Sequence, residues 1–317
     1  MKSILTLCVC LFSITFLQAQ DPLFTQKTGN INHFNPALVG TQSDFGVQLN
    51  YRNQWPTLSG SYINSSLLVN YNFKNSLGVG LESGRENSGE GLLIDDKIKA
   101  NVSYKINFNE IETRYGLNFG YGQRSLDVNR LRFEDTINPS QGFVNPTNEQ
   151  FESETRNYVT IDIGAAAYYN GLMAGFGIQQ LNQPNVSFFG DSPSKTARFV
   201  GTLAYLKELD NIALAGMATF QHQGVFSVFE TQVYSQYNFI KFGVGHRQTF
   251  GEFGNGDYFS AMAGVQFDKF SIGYSYDDTP FNTTRASFGG THQATAAWYI
   301  KGLNNEKGMN RLMNVLL

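Results

Sequence analysis

Phe270-Ser271-Ile272-Gly273-Tyr274-Ser275-Tyr276-Asp277, a polar stretch from Asp278 to Gly290, and then Gln293-Ala294-Thr295-Ala296-Ala297-Trp298-Tyr299-Ile300 decide the fold. In the first run Phe270, Ile272, Tyr274 and Tyr276 alternate with Ser271, Gly273, Ser275 and Asp277. In the second, Ala294, Ala296, Trp298 and Ile300 alternate with Gln293, Thr295, Ala297 and Tyr299. A period of two gives each run one apolar face and one small or polar face, which is how a strand reads. Two such strands, joined by a long polar loop near the chain's end, read as the closing hairpin of an antiparallel barrel.

The same unit recurs from Phe45 onward. Phe45, Val47, Leu49 and Tyr51 alternate with Gly46, Gln48 and Asn50, and Leu77, Val79 and Leu81 with Gly78, Gly80 and Glu82. Ile98, Ala100, Val102, Tyr104 and Ile106 alternate with Lys97, Lys99, Asn101, Ser103 and Lys105. Lysines at that spacing cannot all face lipid, so they are predicted to line a lumen. Tyr115, Leu117, Phe119 and Tyr121 place tyrosines at both ends of an apolar face, as aromatic girdles require. Further strands fit near 67–73, 157–169, 172–181, 197–206, 211–221, 225–237, 239–249 and 257–267. The count is about fourteen, and an even count puts both termini on the periplasmic side of a closed outer-membrane barrel. Connections alternate short and long along the chain, with only Gln221 to Gly224 brief in a long slot. Short periplasmic turns and longer outer loops are the barrel pattern.

Composition agrees. Lys2, the apolar run from Ile4 to Leu17 and the small Ala19 make residues 1–19 a cleavable leader. Both cysteines, Cys8 and Cys10, lie in it, so the mature chain has no disulfide or thiolate chemistry. Beyond the leader no apolar run is long enough to span a bilayer as a helix. Mean hydropathy is −0.26, yet aromatics reach 14 % and charged residues only 15 %, as expected when alternate residues face lipid and lumen. The net charge of −3 gives no ground for nucleic-acid binding. The predicted organisation is a leader (1–19), a turn-rich periplasmic segment (20–43) broken at Asp21-Pro22 and Asn35-Pro36, a transmembrane β-barrel (44–300) and a tail (301–317). Inner faces rich in glycine leave room that residues 20–43 or the 125–156 loop can fill.

Chemistry-bearing residues are sparse. His33, His222, His246 and His292 show no metal-ligand spacing, and no His-Glu-x-x-His motif occurs. No serine and acid are ordered around His246, so no catalytic residue is assigned. The 125–156 loop carries Asp127, Glu134, Asp135, Glu149, Glu152 and Glu154 without EF-hand spacing; no cofactor is expected, with calcium on the outer loops left open. In a closed barrel the first strand meets the last, so Arg52, Asp277 and Gln293, all predicted to face inward, converge inside the outer mouth. With Trp55 and His292 they form a candidate polar seam, either a clamp on closure or a contact for a ligand or partner. Phe133, Glu134, Asp135, Asn182 and Pro184 form a candidate outer-loop partner surface.

Six short motifs run through the chain in order: Gln20-Asp21-Pro22-x-Phe24-x-Gln26, Asn35-Pro36-Ala37-x-x-Gly40, Tyr51-Arg52-x-Gln54-Trp55, Leu181-Asn182-Gln183-Pro184, Gly273-Tyr274-Ser275-Tyr276-Asp277 and Gly290-Thr291-His292-Gln293. In these the chain resembles the PorP/SprF family of outer-membrane proteins of the type IX secretion and gliding machinery. The chain departs from the family at Gln293, where an acid is usual. The resemblance implies a non-enzymatic barrel that anchors or helps export a surface protein, such as an adhesin with a C-terminal sorting domain. It also implies contact with periplasmic ring or motor components. By strand parity the tail lies in the periplasm, where it is either a docking element that meets a partner through Leu312, Val315, Leu316 and Leu317 or a disordered extension. The alternative function is a passive outer-membrane channel for small solutes.

Overall fold

The computed structural model of the chain describes residues 21–73, 76–131, 136–138, 140, 142–143, 154–188, 195–251, 256–278, 289–300 and 308–316. The leader read over 1–19 lies outside them. Fourteen antiparallel strands close into one barrel. They are β1 (Phe45–Gln54), β2 (Tyr62–Phe73), β3 (Leu77–Ser88), β4 (Leu93–Phe108), β5 (Ile111–Leu126), β6 (Thr155–Tyr169) and β7 (Leu172–Gln179). Then follow β8 (Arg198–Glu208), β9 (Ile212–Gln223), β10 (Phe226–Tyr237), β11 (Ile240–Phe250), β12 (Gly256–Gln266), β13 (Phe270–Asp278) and β14 (Thr291–Ile300). Each strand pairs with its neighbours in the chain, and β14 returns to β1 with Ile300 opposite Phe45 and Gln293 opposite Arg52.

The outward face follows the alternation read from sequence. Leu49, Tyr51, Leu117, Phe119, Phe242, Val244 and Ile272 are exposed on the wall, with Tyr115 and Tyr121 at the ends of one such row. That surface suits hydrocarbon flanked by interfacial aromatics. Among the described residues no helix is long and apolar enough to cross a membrane; strands do the crossing. One end of the barrel carries the brief connections 74–76, 109–110, 170–171, 209–211, 238–239 and 267–269. Asn170 and Gly171 have φ of 46° and 88°, the left-handed pair that suits a two-residue hairpin to strand twist. The other end carries 55–61, 89–92, 127–154, 180–197, 251–255 and 279–290, with Gly224-Val225 the one short turn there. The stretch Gly84 to Asp95, whose polar and glycine-rich sequence reads as one of the long connections, is mostly strand. Its polar residues pair across β3 and β4 instead: Arg85 Nε lies 2.6 Å from Asp96 and Lys97 Nζ 2.6 Å from Glu86.

The segment placed in the periplasm by the sequence reading lies inside the barrel. Residues 21–43 run down the lumen from the long-loop end to the short-turn end. Asp21 meets Gln223 of β9, Asn32 meets Glu82 of β3 at 2.5 Å, and the Gly40 carbonyl accepts from Asn72 of β2 at 3.0 Å. Midway, the turn Asn35-Pro36-Ala37 seats where inward positions carry no side chain. A Cβ on Gly116 would overlap the Pro36–Ala37 backbone, and one on Gly164 would meet Asn35 and the Pro36 ring. Local sequence shapes the segment to fit. The Asn30 and Asn35 side chains accept from His33 N and Ala37 N, and Pro36 opens its own short turn where a missing N–H costs nothing.

The tail is corrected likewise. After Gly308 it forms α1 (Met309–Val315), which plugs the short-turn mouth. Leu312, Val315 and Leu316 are buried in one cluster with Met173, Ala204, Leu206, Ala213 and Ala215 of the inner wall, so they serve the barrel itself; Leu317 lies outside the described residues. Arg311 holds Glu208 at 2.8 Å, and Thr28 Oγ1 donates to the Leu316 carbonyl at 3.0 Å, joining the two plugging segments. Cavities of about 40 and 30 Å³ remain beside them, room for a water or two each.

Candidate functional site

At the long-loop end the wall and the start of the lumen segment enclose a cup of about 720 Å³. Its floor is Asp21, Pro22 and Leu23, and its sides include Arg52, Trp55, Arg247, Tyr258 and Asp277. Tyr51, Tyr276 and Ala294 point outward, so alternation turns Arg52, Asp277 and Gln293 inward, at 3 %, 3 % and 1 % exposure. The three converge at the mouth of the first and last strands. Two of them are held by the lumen segment. The Gln293 side chain accepts from Thr25 N at 2.8 Å and Gln26 N at 3.0 Å, and Asp277 accepts from the Thr25 hydroxyl.

Below this seam lies a buried ionic network. Lys27 Nζ is 2.5 Å from Glu230, Arg247 is 3.1 Å from Glu230 and 3.2 Å from Asp277, and Arg247 also donates to Thr25 Oγ1 at 3.0 Å. Across the lumen Lys99 pairs with Asp162 at 2.8 Å, and Asn118 donates to the same carboxylate at 3.2 Å. These partners replace the water that charged groups would otherwise need, and without them each buried charge would be costly.

Asp21 anchors the start of the segment. It accepts from Gln180 at 2.5 Å and Gln223 at 3.1 Å and lies 2.6 Å from Lys195. Burial alone would raise this carboxyl, but Lys195, then Lys97 and Arg198, hold it well below its ordinary value of 3.8. A depressed carboxyl stabilises docking fully above the undocked pKa of about 4 and loses that contribution as pH falls through the docked value. Asp21→Asn should therefore expose the segment to protease at neutral pH. It should also lack the part of the acid-induced release that the unaltered barrel shows below about pH 4. Limited proteolysis across pH checks both.

Trp55 sits just past β1 with φ of 60°, an uncommon conformation for a large side chain. Its N–H donates to the Gly290 carbonyl at 2.8 Å, its carbonyl accepts from Leu58 N at 3.0 Å, and its ring meets Tyr62 edge-on at 6.1 Å. The indole is thus fixed as a wall of the cup. His292 is not part of the seam. It faces outward, 2.6 Å from the Tyr274 hydroxyl and 3.1 Å from the Gly289 carbonyl, because it neighbours the inward Gln293 in a strand.

The outer-loop candidates separate as well. Asn182 spends both ends of its amide on β6, accepting from Ile161 N at 3.0 Å and donating to the Val159 carbonyl at 2.8 Å. It thereby covers strand backbone that extends past β7. Pro184 is buried and its carbonyl accepts from Lys195 N at 2.9 Å. Phe133, Glu134 and Asp135 lie outside the described residues, as does half of the acidic loop. His246 faces outward, 3.1 Å from Asp257. Among the described residues no group of three or more His, Cys, Asp or Glu is placed to hold a metal ion. Sequence reading missed Thr25, Gln26, Lys27, Glu230 and Arg247; the complementary charges at inward positions of β10 and β11 were the available signal.

A family model described as "Type IX secretion system membrane protein PorP/SprF" matches residues 16–298. No curated protein matches the chain. Among solved structures, the Pseudomonas putida toluene transporter TodX is similar at TM-score 0.50 and 9 % identity, over 90 % of this chain and 98 % of that one. The Acinetobacter baumannii outer-membrane protein Omp33 gives TM-score 0.48 and 8 % identity, over 82 % of this chain and all of that one. At such identities the likeness is one of fold.

Proposed function

Because the chain belongs to the PorP/SprF family of type IX secretion membrane proteins, we propose that it is an outer-membrane barrel that anchors, or assists export of, a type IX-secreted surface protein and catalyses no reaction. The observation that carries this reading is the filled lumen: the chain's own residues 21–43 and α1 occupy the space a channel would need. What remains open is a cup at the long-loop end, the end that faces outward in bacterial barrels. A cup rimmed by long loops suits holding a partner better than passing a solute. The expected cargo is a large, adhesin-like protein with a C-terminal sorting domain, with ring or motor components meeting the short-turn end. TodX transports toluene, but its likeness to this chain concerns the wall, and the filled lumen weighs against the passive-channel alternative.

Deleting the gene and following surface proteins tests the reading. Loss of one large protein from the surface, with its appearance in the medium, supports an anchor; its retention in the periplasm supports an export role. An unchanged surface proteome, together with conductance of the purified barrel in planar bilayers, would overturn the reading in favour of the channel.

A further inference from the structure

Among the described residues, the cup contains one cation without a hydrogen-bond partner. Arg52 is 3 % exposed, and its Nε and Nη1 meet no acceptor. The other charged residues of the lining are committed elsewhere. Asp21 is held by Lys195 at 2.6 Å, Glu86 by Lys97 at 2.6 Å, and Arg247 by Glu230 at 3.1 Å and Asp277 at 3.2 Å. Among the described residues, Arg52 and Arg247 of the lining and Lys27 just below it are grouped with Glu230 and Asp277, three cations against two carboxylates, and Asp277 Oδ1 is itself without a hydrogen-bond partner. A buried guanidinium left in this state is unfavourable, and it is satisfied best by an acceptor that takes two of its N–H groups at once.

We propose that the cup is a binding site for an organic monocarboxylate with an apolar body, its carboxylate taken by Arg52. One negative charge balances the surplus cation, whereas a dianion would meet the Asp277 carboxylate next to it. One side of the lining offers surface for an apolar body, and polar residues such as Gln54, Asn64, Ser88, Thr249 and Thr291 make up the remainder. Leu23, Trp55, Tyr62, Leu93 and Phe226 are among the residues around a space of about 720 Å³, within the range of small-ligand pockets. A fatty acid and the free C-terminus of a polypeptide share this chemistry. The site stands apart from the cargo reading, since it is measured on the isolated barrel.

Trp55 and Trp298 are the chain's two tryptophans, and Trp298 is on the outer wall, so Trp298→Phe leaves Trp55 as the sole reporter inside the cup. The barrel in lipid nanodiscs is titrated with dodecanoate and dodecanol, and with one hydrophobic hexapeptide carrying a free or an amidated C-terminus. Saturable change in Trp55 fluorescence is expected with the carboxylate of at least one pair and at least tenfold weaker with its neutral counterpart. The pair that responds names the source. Arg52→Gln should abolish the preference, and Arg52→Lys should keep part of it by retaining charge without the planar fork. Equal response to each carboxylate and its neutral counterpart, or no saturable response at all, overturns the proposal. So does a preference that persists in Arg52→Gln. The ligand pairs decide the matter on the unaltered cup even where Arg52→Gln fails to fold.

Discussion

Replacing both Gly116 and Gly164 with valine should drive the lumen segment out and turn a silent barrel into a conducting one. A Cβ on Gly116 would overlap the peptide between Pro36 and Ala37, and backbone cannot swing away as a side-chain tip can. On Gly164 the Cβ would lie 2.9 Å from Pro36 Cδ, and Pro36 has its φ fixed by the ring. Overpacking commonly costs about 1–3 kcal/mol per site, and two sites pressing on one turn approach the binding of the whole middle of the segment. The wall should survive, since both residues lie on the inner face and their strand pairings, Gly116 with Gly164 among them, involve backbone alone. Planar-bilayer recordings should show closed membranes for the unaltered barrel and stepwise conductance for the double variant. Limited proteolysis should show residues 21–43 newly cleaved while heat-modifiable migration on gels is kept. A double variant that stays silent with its segment protected would mean the turn is not the wedge that the geometry makes it.

The outward half of this architecture is written plainly in the sequence. Lipid admits only apolar residues at alternate positions, so Leu117, Phe119 and Tyr121 or Ile272 and Tyr274 leave little choice of face. The inward half is ambiguous for a physical reason. Asn50, Lys99, Asp162 or Glu230 would be equally content facing water or facing a polar segment, so a wet lumen and a filled one share one pattern. Two stretches break the ambiguity. In β9 the inward Ala213, Ala215 and Met217 are as apolar as the outward Leu214, which makes sense only if something apolar covers them from within; α1 does so. Gly116 and Gly164, opposite each other on adjacent strands, leave a groove at mid-height that Asn35-Pro36 fills. The same polar ambiguity explains the seam. Alternation turns Arg52, Asp277 and Gln293 to one place, but nothing in their spacing reveals that Thr25 and Gln26 would take two of them and leave Arg52.

The largest loss of stability is expected at Glu230. This carboxylate is 1 % exposed and serves two cations at once, Lys27 of the lumen segment and Arg247 of β11, while Gln232 donates to it at 3.0 Å. Removing one member of a buried ion pair strands the other in low dielectric and typically costs about 3–5 kcal/mol. Glu230→Ala takes away the carboxylate that pairs with Lys27, leaving that ammonium the Phe24 carbonyl, and leaves Arg247 with Asp277 and the Thr25 hydroxyl. The strand cation has nowhere to go, but Lys27 can follow its segment out to water. Release of residues 21–30 should therefore come first, seen as early proteolysis there, with a lower thermal transition for the barrel. Lys27→Met alone should do less harm, because Glu230 keeps Arg247. Combined with Glu230→Gln it should recover part of the loss, since the amide needs no second cation, Met leaves no lysine buried, and Arg247 keeps Asp277. A double-mutant cycle on thermal stability gives the coupling directly. Strictly additive effects would show that Lys27 and Glu230 are neighbours without energetic linkage, and that the segment is held by its other contacts, such as those of Asp21, Asn32 and Gln293 and the fit against Gly116.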